Sequence, residues 1–420
     1  MSQMVITLII LAVTIALFIW NKFPVSAVSL GVVAALILTG VVPAGDAFKS
    51  FVNSNVIMIF ATLIIGGALF QTGMAKVIAN TVSKFTKTER TAVTAVFVVC
   101  ALLSSLLSNT GTAATMFPIV IGLCAATGFK RSKLLLPIII GATAGSLATI
   151  MGTPSILSTS AILQEATGES FSFFTTTPIG GIYLIVGALF FYFIGYKMLP
   201  DRETTEEVEA ENKDYSDVPK WKQWASLAML FIVIIGMIFE KKIGISMHIM
   251  AVIGALLLVL LGVITEKQAY KMVNWDTIYI TAGMLTLAGA MKSSGAGEAI
   301  ANAFVSVFGS ATNVFVLTGA LYLISNILTQ FMSNAACTGM LLPLGVSIAQ
   351  GIGADPKAIL IAILCGASMA FCTPMAQPMN GMVFGPGGYK FTDYIKAGWL
   401  LTFIYFVISV FLIPVFYPFF

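Results

Sequence analysis

The sequence predicts an all-α polytopic membrane protein, built from two inverted repeats of about five transmembrane helices each, with two re-entrant hairpins and two broken helices. Composition, an internal repeat and two polar hairpin tips lead to this fold class. Of the 420 residues, 58% are hydrophobic and 10% are charged, and the mean hydropathy is +0.98. Because a soluble domain carries about 25% charged residues, secreted domains, nucleic-acid binders and soluble enzymes are excluded.

An acidic segment divides the chain near its middle. Residues 200–222 carry eight acidic side chains and cannot cross a bilayer. They predict a cytoplasmic linker between a first repeat at residues 1–199 and a second repeat at residues 223–420.

The two halves share a repeated pattern. The pair Ser108-Asn109 corresponds to Ser333-Asn334, and the offset between matched positions stays between 221 and 225 over the whole half. Chance does not maintain such a register, so the halves are predicted to be structural repeats.

Apolar segments set the predicted crossings. In the first half they lie at residues 4–20, 25–43, 54–72, 92–107, 112–127, 134–163 and 178–197. The fourth and fifth are short and separated by an uncharged turn, which is typical of a re-entrant hairpin. Gly152 and Pro154 interrupt the sixth and predict a broken helix. An odd number of crossings per half then inverts the second repeat.

Charge distribution orients this topology. With the N-terminus and C-terminus outside, 17 of the 22 Lys and Arg residues fall inside, as the positive-inside rule requires. The sequence therefore predicts a multi-pass protein of the cell membrane, plasma or inner, with a cytoplasmic linker. Residues 74–85 and 296–308 are predicted to lie along the inner and outer interfaces as amphipathic helices.

Polar residues at the predicted midplane occur at the two hairpin tips. The first tip contains Ser104, Ser108, Asn109, Thr110 and Thr112, and the second contains Thr329, Ser333, Asn334, Ala335 and Cys337. Free carbonyls, hydroxyls and amide oxygens suit a hard cation such as Na⁺, and free N–H groups suit an anion beside it. The alternative is that Ser and Asn only cap two half-helices. Two matched tips favour a binding site.

Each tip is matched by a proline-containing helix break, at residues 152–156 and 376–380. Backbone carbonyls at the breaks can complete the cation sites, and Thr153, Gln377 and Asn380 can add side-chain contacts; the alternative is a simple proline kink. Inverted repeats with broken helices are typical of secondary transporters. No Asp or Glu lies mid-span in a predicted crossing, which favours sodium coupling over proton coupling.

At these motifs the chain resembles the divalent anion:sodium symporter family of the ion transporter superfamily, over essentially all 420 residues. The resemblance rests on SNT at 108–110, GTP at 152–154, SNA at 333–335 and the run at 377–396. It implies an elevator-type transporter, usually a homodimer, that carries a small anionic substrate across the lipid bilayer with Na⁺.

The resemblance also implies which residues bind each ligand. The implied sodium ligands are Ser104, Ser108, Asn109 and the Gly152 carbonyl at one site, and Thr329, Asn334 and the Met332 and Ala376 carbonyls at the other. The implied substrate contacts are Asn109, Thr110, Asn334 and Ala335, with Thr153 and Gln377 nearby. Additional candidates from the tips and breaks are Thr112, Ser333 and Asn380.

The second tip and both breaks depart from the family pattern, which has Ser-Asn-Thr at the tip and Thr-Pro-Pro-Asn at each break. Ala335 and Gln377 stand where the family has threonine, so the site loses a hydroxyl and gains an amide. We expect sodium-coupled import of a small divalent anion, a C4-dicarboxylate such as succinate or malate first and sulfate next. An arsenite or Na⁺/H⁺ antiporter of the same superfamily and an ion channel are the alternatives. An enzyme is not expected, because no nucleophile–base pair stands out.

Overall fold

The computed structural model describes residues 2–20, 22–79, 88–202, 215, 217–308 and 313–420. Throughout these ranges the regular structure is helical, with no strand. Residues 203–214 and 216 of the predicted acidic linker lie outside the described residues, as do residues 80–85 of the predicted inner interfacial segment. The all-helical prediction is confirmed.

The first half contains eleven described α-helices, with bounds close to the predicted segments. They are α1 Gln3–Trp20, α2 Val25–Leu38, α3 Ala44–Ala47, α4 Ser54–Thr72, α5 Met74–Ala79, α6 Glu89–Ser104, α7 Asn109–Thr127, α8 Arg131–Gly145, α9 Pro154–Thr167, α10 Thr177–Phe190 and α11 Tyr196–Met198. A 3₁₀ turn at Lys49–Val52 precedes α4, and a π-helical turn at Phe191–Gly195 joins α10 to α11. The predicted sixth segment is therefore two helices, α8 and α9, on either side of the break.

The second half also contains eleven described α-helices. They are α12 Lys220–Ile238, α13 Glu240–Ile243, α14 Met247–Leu260, α15 Glu266–Met272, α16 Trp275–Ser294, α17 Ala296–Phe308, α18 Val314–Thr329, α19 Asn334–Ile352, α20 Pro356–Ser368, α21 Pro378–Met382 and α22 Phe391–Phe416. The second break separates α20 from α21.

Several helices meet the length and composition needed to cross a bilayer. Among the described residues there are seven: Gln3–Trp20, Ser54–Thr72, Asn109–Thr127, Thr177–Met198, Lys220–Ile238, Asn334–Ile352 and Phe391–Phe416. Four shorter apolar helices accompany them, namely α2, α14, α18 and α20. The chain is thus a multi-pass membrane protein, and the number of crossings stays a prediction.

Helices α7 and α19, the second arms of the two hairpins, begin and end in the same way. Ser108 and Ser333 cap their N-termini through the side-chain oxygen. Gly128 and Gly353 end them at φ 76° and 68°, a left-handed conformation that costs other residues free energy. The repeated sequence therefore produces repeated local structure at the hairpins.

The first hairpin, α6 and α7, begins and ends at one end of the molecule. Lys133, at the start of α8, lies 3.3 Å from Glu89 at the start of α6, and 3.8 Å from Asp201. The neighbouring Arg202 donates two hydrogen bonds, of 2.7 and 3.1 Å, to the carboxylate of Asp393 at the start of α22. The ion pairs place both ends of this hairpin beside the start of α22.

The second hairpin, α18 and α19, begins and ends at the opposite end. The ring of Phe315, at the start of α18, lies 5.8 Å from that of Phe411 near the end of α22. The Asp355 N–H, just before α20, donates a 2.7 Å hydrogen bond to the Phe419 carbonyl beyond α22. A 26-residue helix is about 39 Å long, enough to cross a bilayer. The two hairpins thus begin and end near opposite ends of α22; their entry from opposite membrane faces and the inversion of the repeat stay predictions.

The two halves are interleaved in the core. Helix α4 packs against α14, and its counterpart α16 packs against α2. Helix α9 contacts α4 of its own half and α16, α19 and α20 of the other half. This exchange of partners brings both hairpin tips and both helix breaks to the centre.

Candidate functional site

A cavity of about 860 Å³ lies at the centre of the molecule, where residues from the two halves meet. Both hairpin tips and both helix breaks contribute to its wall. The six predicted substrate contacts all line it: Asn109, Thr110, Thr153, Asn334, Ala335 and Gln377. Of the other predicted site residues, Ser108, Ser333 and the residue Ala376 also line it. Their roles in binding stay predictions.

The N-termini of α7 and α19 both reach this cavity. Ser108 accepts a 3.3 Å hydrogen bond from the backbone N–H three residues on, and Ser333 accepts one of 3.2 Å in the same way. The first N–H groups of each helix have no intrahelical partner and carry the positive end of the helix dipole. Such helix starts favour an anionic group, so the cavity has one anion-binding element from each half.

Gln377 connects the second break to the first half of the chain. Its Oε1 accepts a hydrogen bond of 3.5 Å from Nδ2 of Asn109, and its Nε2 lies 3.5 Å from Oγ1 of Thr143 and 3.4 Å from the Ala370 carbonyl. These contacts are at the long limit for hydrogen bonds and are therefore weak. The buried amide can turn toward an anion in the cavity at little cost.

Three oxygen atoms converge behind the second tip. Oγ1 of Thr329 lies 2.9 Å from Oδ1 of Asn334 and 2.8 Å from the Ala367 carbonyl. A hydroxyl carries one proton and cannot donate fully to both oxygens. A hard cation with oxygen ligands would stabilise this buried group. Sequence analysis did not name the Ala367 carbonyl. The predicted ligand residue Met332 is buried, three residues after Thr329.

Behind the first tip, a buried hydroxyl has no partner. Ser104 is fully buried, and its Oγ forms no hydrogen bond. Gly152 of the first break lies so close that a Cβ there would be 2.9 Å from the Ser104 carbonyl and 2.2 Å from the Ser146 carbonyl. Only glycine permits this close approach of the first break to the backbone of Ser104 and Ser146. Thr112 is also fully buried with an unpaired Oγ1.

Asn380 lies within the second break and not on the cavity wall. Its Nδ2 donates hydrogen bonds of 2.9 and 2.8 Å to the carbonyls of Ala370 and Thr373. Asn326 and Gln330 of α18 hold the same region, and sequence analysis did not identify them. Their signal was present as two amide side chains four residues apart, Asn326 on α18 and Gln330 just after its last residue.

The described residues of the cavity wall include no Asp or Glu, and their one basic residue is Lys76. Tyr215 of the linker also lines the cavity, with its ring 5.7 Å from the Lys76 ammonium group. Burial raises the pKa of Tyr215, so its hydroxyl stays neutral. At the edge of the linker, a hydrogen bond from Lys130 lowers the pKa of Asp201 and keeps that carboxylate ionised.

Known proteins resemble the chain over most of its length. A sequence model of the CitMHS family, described as citrate transporters, matches residues 15–366. An uncharacterized transporter of Haemophilus influenzae is 28% identical over 413 residues, 94% of this chain and 88% of that protein. Sodium/sulfate cotransporter 1 of Chlamydomonas reinhardtii is 26% identical over 148 residues, 35% of this chain and 17% of that protein.

A solved structure shares the fold. MtrF of Neisseria gonorrhoeae, from a class of antimetabolite efflux pumps, superposes with a TM-score of 0.66. The match covers 91% of this chain and 84% of that chain at 14% identity. At this identity the likeness extends to the fold alone, and it agrees with the helical membrane architecture described above.

Proposed function

We propose that this chain, which belongs to the citrate transporter family, is a sodium-coupled secondary transporter that imports a small divalent anion. The family membership confirms the resemblance deduced from the SNT and GTP motifs, and makes the chain a membrane transporter and not an enzyme. The proposed substrate is a C4-dicarboxylate such as succinate or malate, with sulfate as the second candidate.

One observation carries the proposal: both hairpin tips and both helix breaks meet at one cavity. The N-termini of α7 and α19 present unpaired N–H groups there, with Asn109 and Asn334 as further donors. An anion with two charged ends, or a compact dianion, can contact both helix starts. Ala335 offers no hydroxyl at the second tip, so we expect the first tip to bind the anion more strongly.

Sodium coupling is supported by the neutral oxygens behind the tips. Thr329, Asn334 and the Ala367 carbonyl form one oxygen cluster, and the unpaired Ser104 hydroxyl lies at the other tip. Na⁺ accepts such ligands and would bring positive charge next to the anion. A relative with part of this sequence is a sodium/sulfate cotransporter, which agrees with the same coupling ion.

The alternatives make different demands on the site. An arsenite or Na⁺/H⁺ antiporter would be expected to carry acidic residues at the tips, and the described cavity wall has none. A channel needs a continuous pore and gives a flux that does not saturate with substrate. The same proposal includes an elevator motion and a homodimeric scaffold. It also includes a location in the cell membrane with both termini outside.

Radiolabelled succinate uptake into proteoliposomes tests the proposal, with an inward Na⁺ gradient against an inward K⁺ gradient. We expect saturable uptake that requires Na⁺ and is lost in Asn109→Ala and Asn334→Ala. Asn302→Ala, at an exposed position of α17, is the matched control. Unlabelled sulfate, malate, citrate and arsenite serve as competitors. Succinate uptake that Na⁺ does not stimulate would reject the dicarboxylate assignment. Uptake of labelled sulfate, measured in the same way, then tests the second candidate, and no Na⁺-driven uptake of either anion would reject the proposal.

A further inference from the structure

We propose that Asn326 and Gln330 are positioning residues that keep the second hairpin tip ordered without a cation, whereas the first tip requires a bound cation for the same order. This inference rests on the proposed binding of Na⁺ behind the tips. It assigns unequal roles to two halves that the sequence presents as repeats.

The amide side chains of α18 bind the backbone of the second break. Nδ2 of Asn326 donates hydrogen bonds of 3.0 Å to the carbonyls of Gly366 and Met369. Nε2 of Gln330 donates one of 3.2 Å to the Met369 carbonyl, and its Oε1 accepts one of 3.1 Å from the Cys372 N–H. Because α20 ends at this point, its last carbonyls lack helical partners, and the amides supply them.

Further bonds join the same two elements. The Thr329 hydroxyl lies 2.8 Å from the Ala367 carbonyl, and the Thr373 hydroxyl donates to the Gln330 carbonyl. In total, six hydrogen bonds connect α18 and the residue after it, Gln330, to the end of α20 and the chain that leads from it into the second break. These bonds pair backbone groups at and beyond the end of α20 with donors and acceptors of the protein itself.

The first half lacks these amides. At the repeat offset of 225 residues, Ala101 occupies the position that corresponds to Asn326, and Ser105 the position that corresponds to Gln330. In residues 88–202, all of which are described, one hydrogen bond joins α6 and its C-terminal residue to the first break, from the Thr149 hydroxyl to the Ser105 carbonyl. The first tip is therefore connected to its break by far fewer protein donors.

The hydroxyls at matched tip positions differ in the same way. Thr329 and Cys337 of the second hairpin both have partners, since the Cys337 thiol lies 3.3 Å from the Ser325 carbonyl. Their counterparts Ser104 and Thr112 are fully buried and have none. A buried polar group without a partner costs free energy. A cation that binds these oxygens removes that cost at the first tip, whereas at the second tip Thr329 and Cys337 already have protein partners.

Hydrogen–deuterium exchange of the full-length protein in lipid nanodiscs tests this directly, with NaCl compared with choline chloride and no anion substrate added. The informative peptides cover residues 100–112 and 325–337. At a Na⁺ concentration about ten times its Kd at the first tip, we expect exchange to slow about tenfold there and less at the second tip, whose amides supply part of the order before Na⁺ binds. Equal protection of both tips, or protection of the second alone, would overturn the inference.

Asn326→Ala gives the second test. We expect its second tip to exchange faster in choline and to regain slow exchange with Na⁺, which a merely structural defect would not do. Thr318→Ala, on the same helix, is the control, because the Thr318 hydroxyl bonds only within α18. If Asn326→Ala does not fold, the wild-type comparison still decides.

Different results would reject the proposed function and the present inference about the two tips. If wild-type uptake responds to Na⁺ but both tips respond alike, the proposed function stands and the inference is wrong. If Na⁺ alters neither exchange nor uptake, both are wrong. Faster exchange in Asn326→Ala that Na⁺ does not reverse would show that Asn326 has a structural role only, and would also reject the inference.

Discussion

The hydroxyl oxygen of Thr329 lies 2.9 Å from the amide oxygen of Asn334, across the tip of the second hairpin. These residues are five apart in the sequence, and the turn between α18 and α19 brings them together. The Thr329 hydroxyl has one proton for both the Asn334 oxygen and the neighbouring Ala367 carbonyl. This cluster of three oxygen atoms therefore contains a single hydrogen-bond donor.

Thr329→Val is expected to weaken the response to Na⁺, because valine keeps the shape of threonine and removes the ligand oxygen. Loss of one oxygen ligand is expected to raise the half-saturating Na⁺ concentration by about tenfold, which corresponds to about 1.4 kcal/mol of binding free energy. Initial uptake rates over a Na⁺ series measure it. Thr318→Val, equally buried on α18, should match the wild type; the same Na⁺ response in both variants would contradict the assignment.

Gln377→Ala is expected to raise the KM for the anion and to leave the half-saturating Na⁺ concentration unchanged. The Gln377 amide lines the cavity and has only long contacts, so it is available to the substrate. Loss of one hydrogen bond to a charged ligand predicts a KM about tenfold higher. Gln350→Ala, at an exposed end of α19, is the control. An unchanged KM would remove Gln377 from the binding site.

Arg202→Ala is expected to lower the melting temperature of the purified protein more than Lys49→Ala does. The carboxylate of Asp393 is only 6% exposed and accepts both hydrogen bonds from Arg202. Removal of the guanidinium leaves this charge unpaired, which is destabilising. The Lys49–Asp46 pair is 74% and 51% exposed, and such surface pairs contribute little. Equal melting temperatures would argue against a structural role for the buried pair.

Cysteine labelling tests the orientation in the membrane. We expect Asp217→Cys, in the linker, to react with an impermeant thiol reagent only after the cells are opened. Asp46→Cys should react in intact cells, because the neighbouring Lys49 is one of the five Lys and Arg residues that the proposed topology places outside. Both positions are exposed, whereas four of the five native cysteines are buried. Reaction of Asp217→Cys in intact cells would invert the proposed topology.

Much of the fold follows from local sequence patterns. Apolar length, Ser and Asn caps, and Gly and Pro breakers act over a few residues, so the hairpins, the breaks and their repetition could be predicted from the sequence. Residues 108–110 and 333–335 are visible as motifs for the same reason, since each tip is a local turn between two helices. The family motifs then indicated which tip residues to expect at the site.

Tertiary structure decided what the sequence left open. The contact of Asn109 with Gln377 joins residues that are 268 apart, and no local pattern specifies it. The roles of Asn326 and Gln330 likewise depend on how α18 packs against the end of α20. The sequence by itself determined the helices and their polar interruptions, because these depend on near neighbours. Three-dimensional packing determined which buried oxygens have hydrogen-bond donors and which, at Ser104 and Thr112, have none.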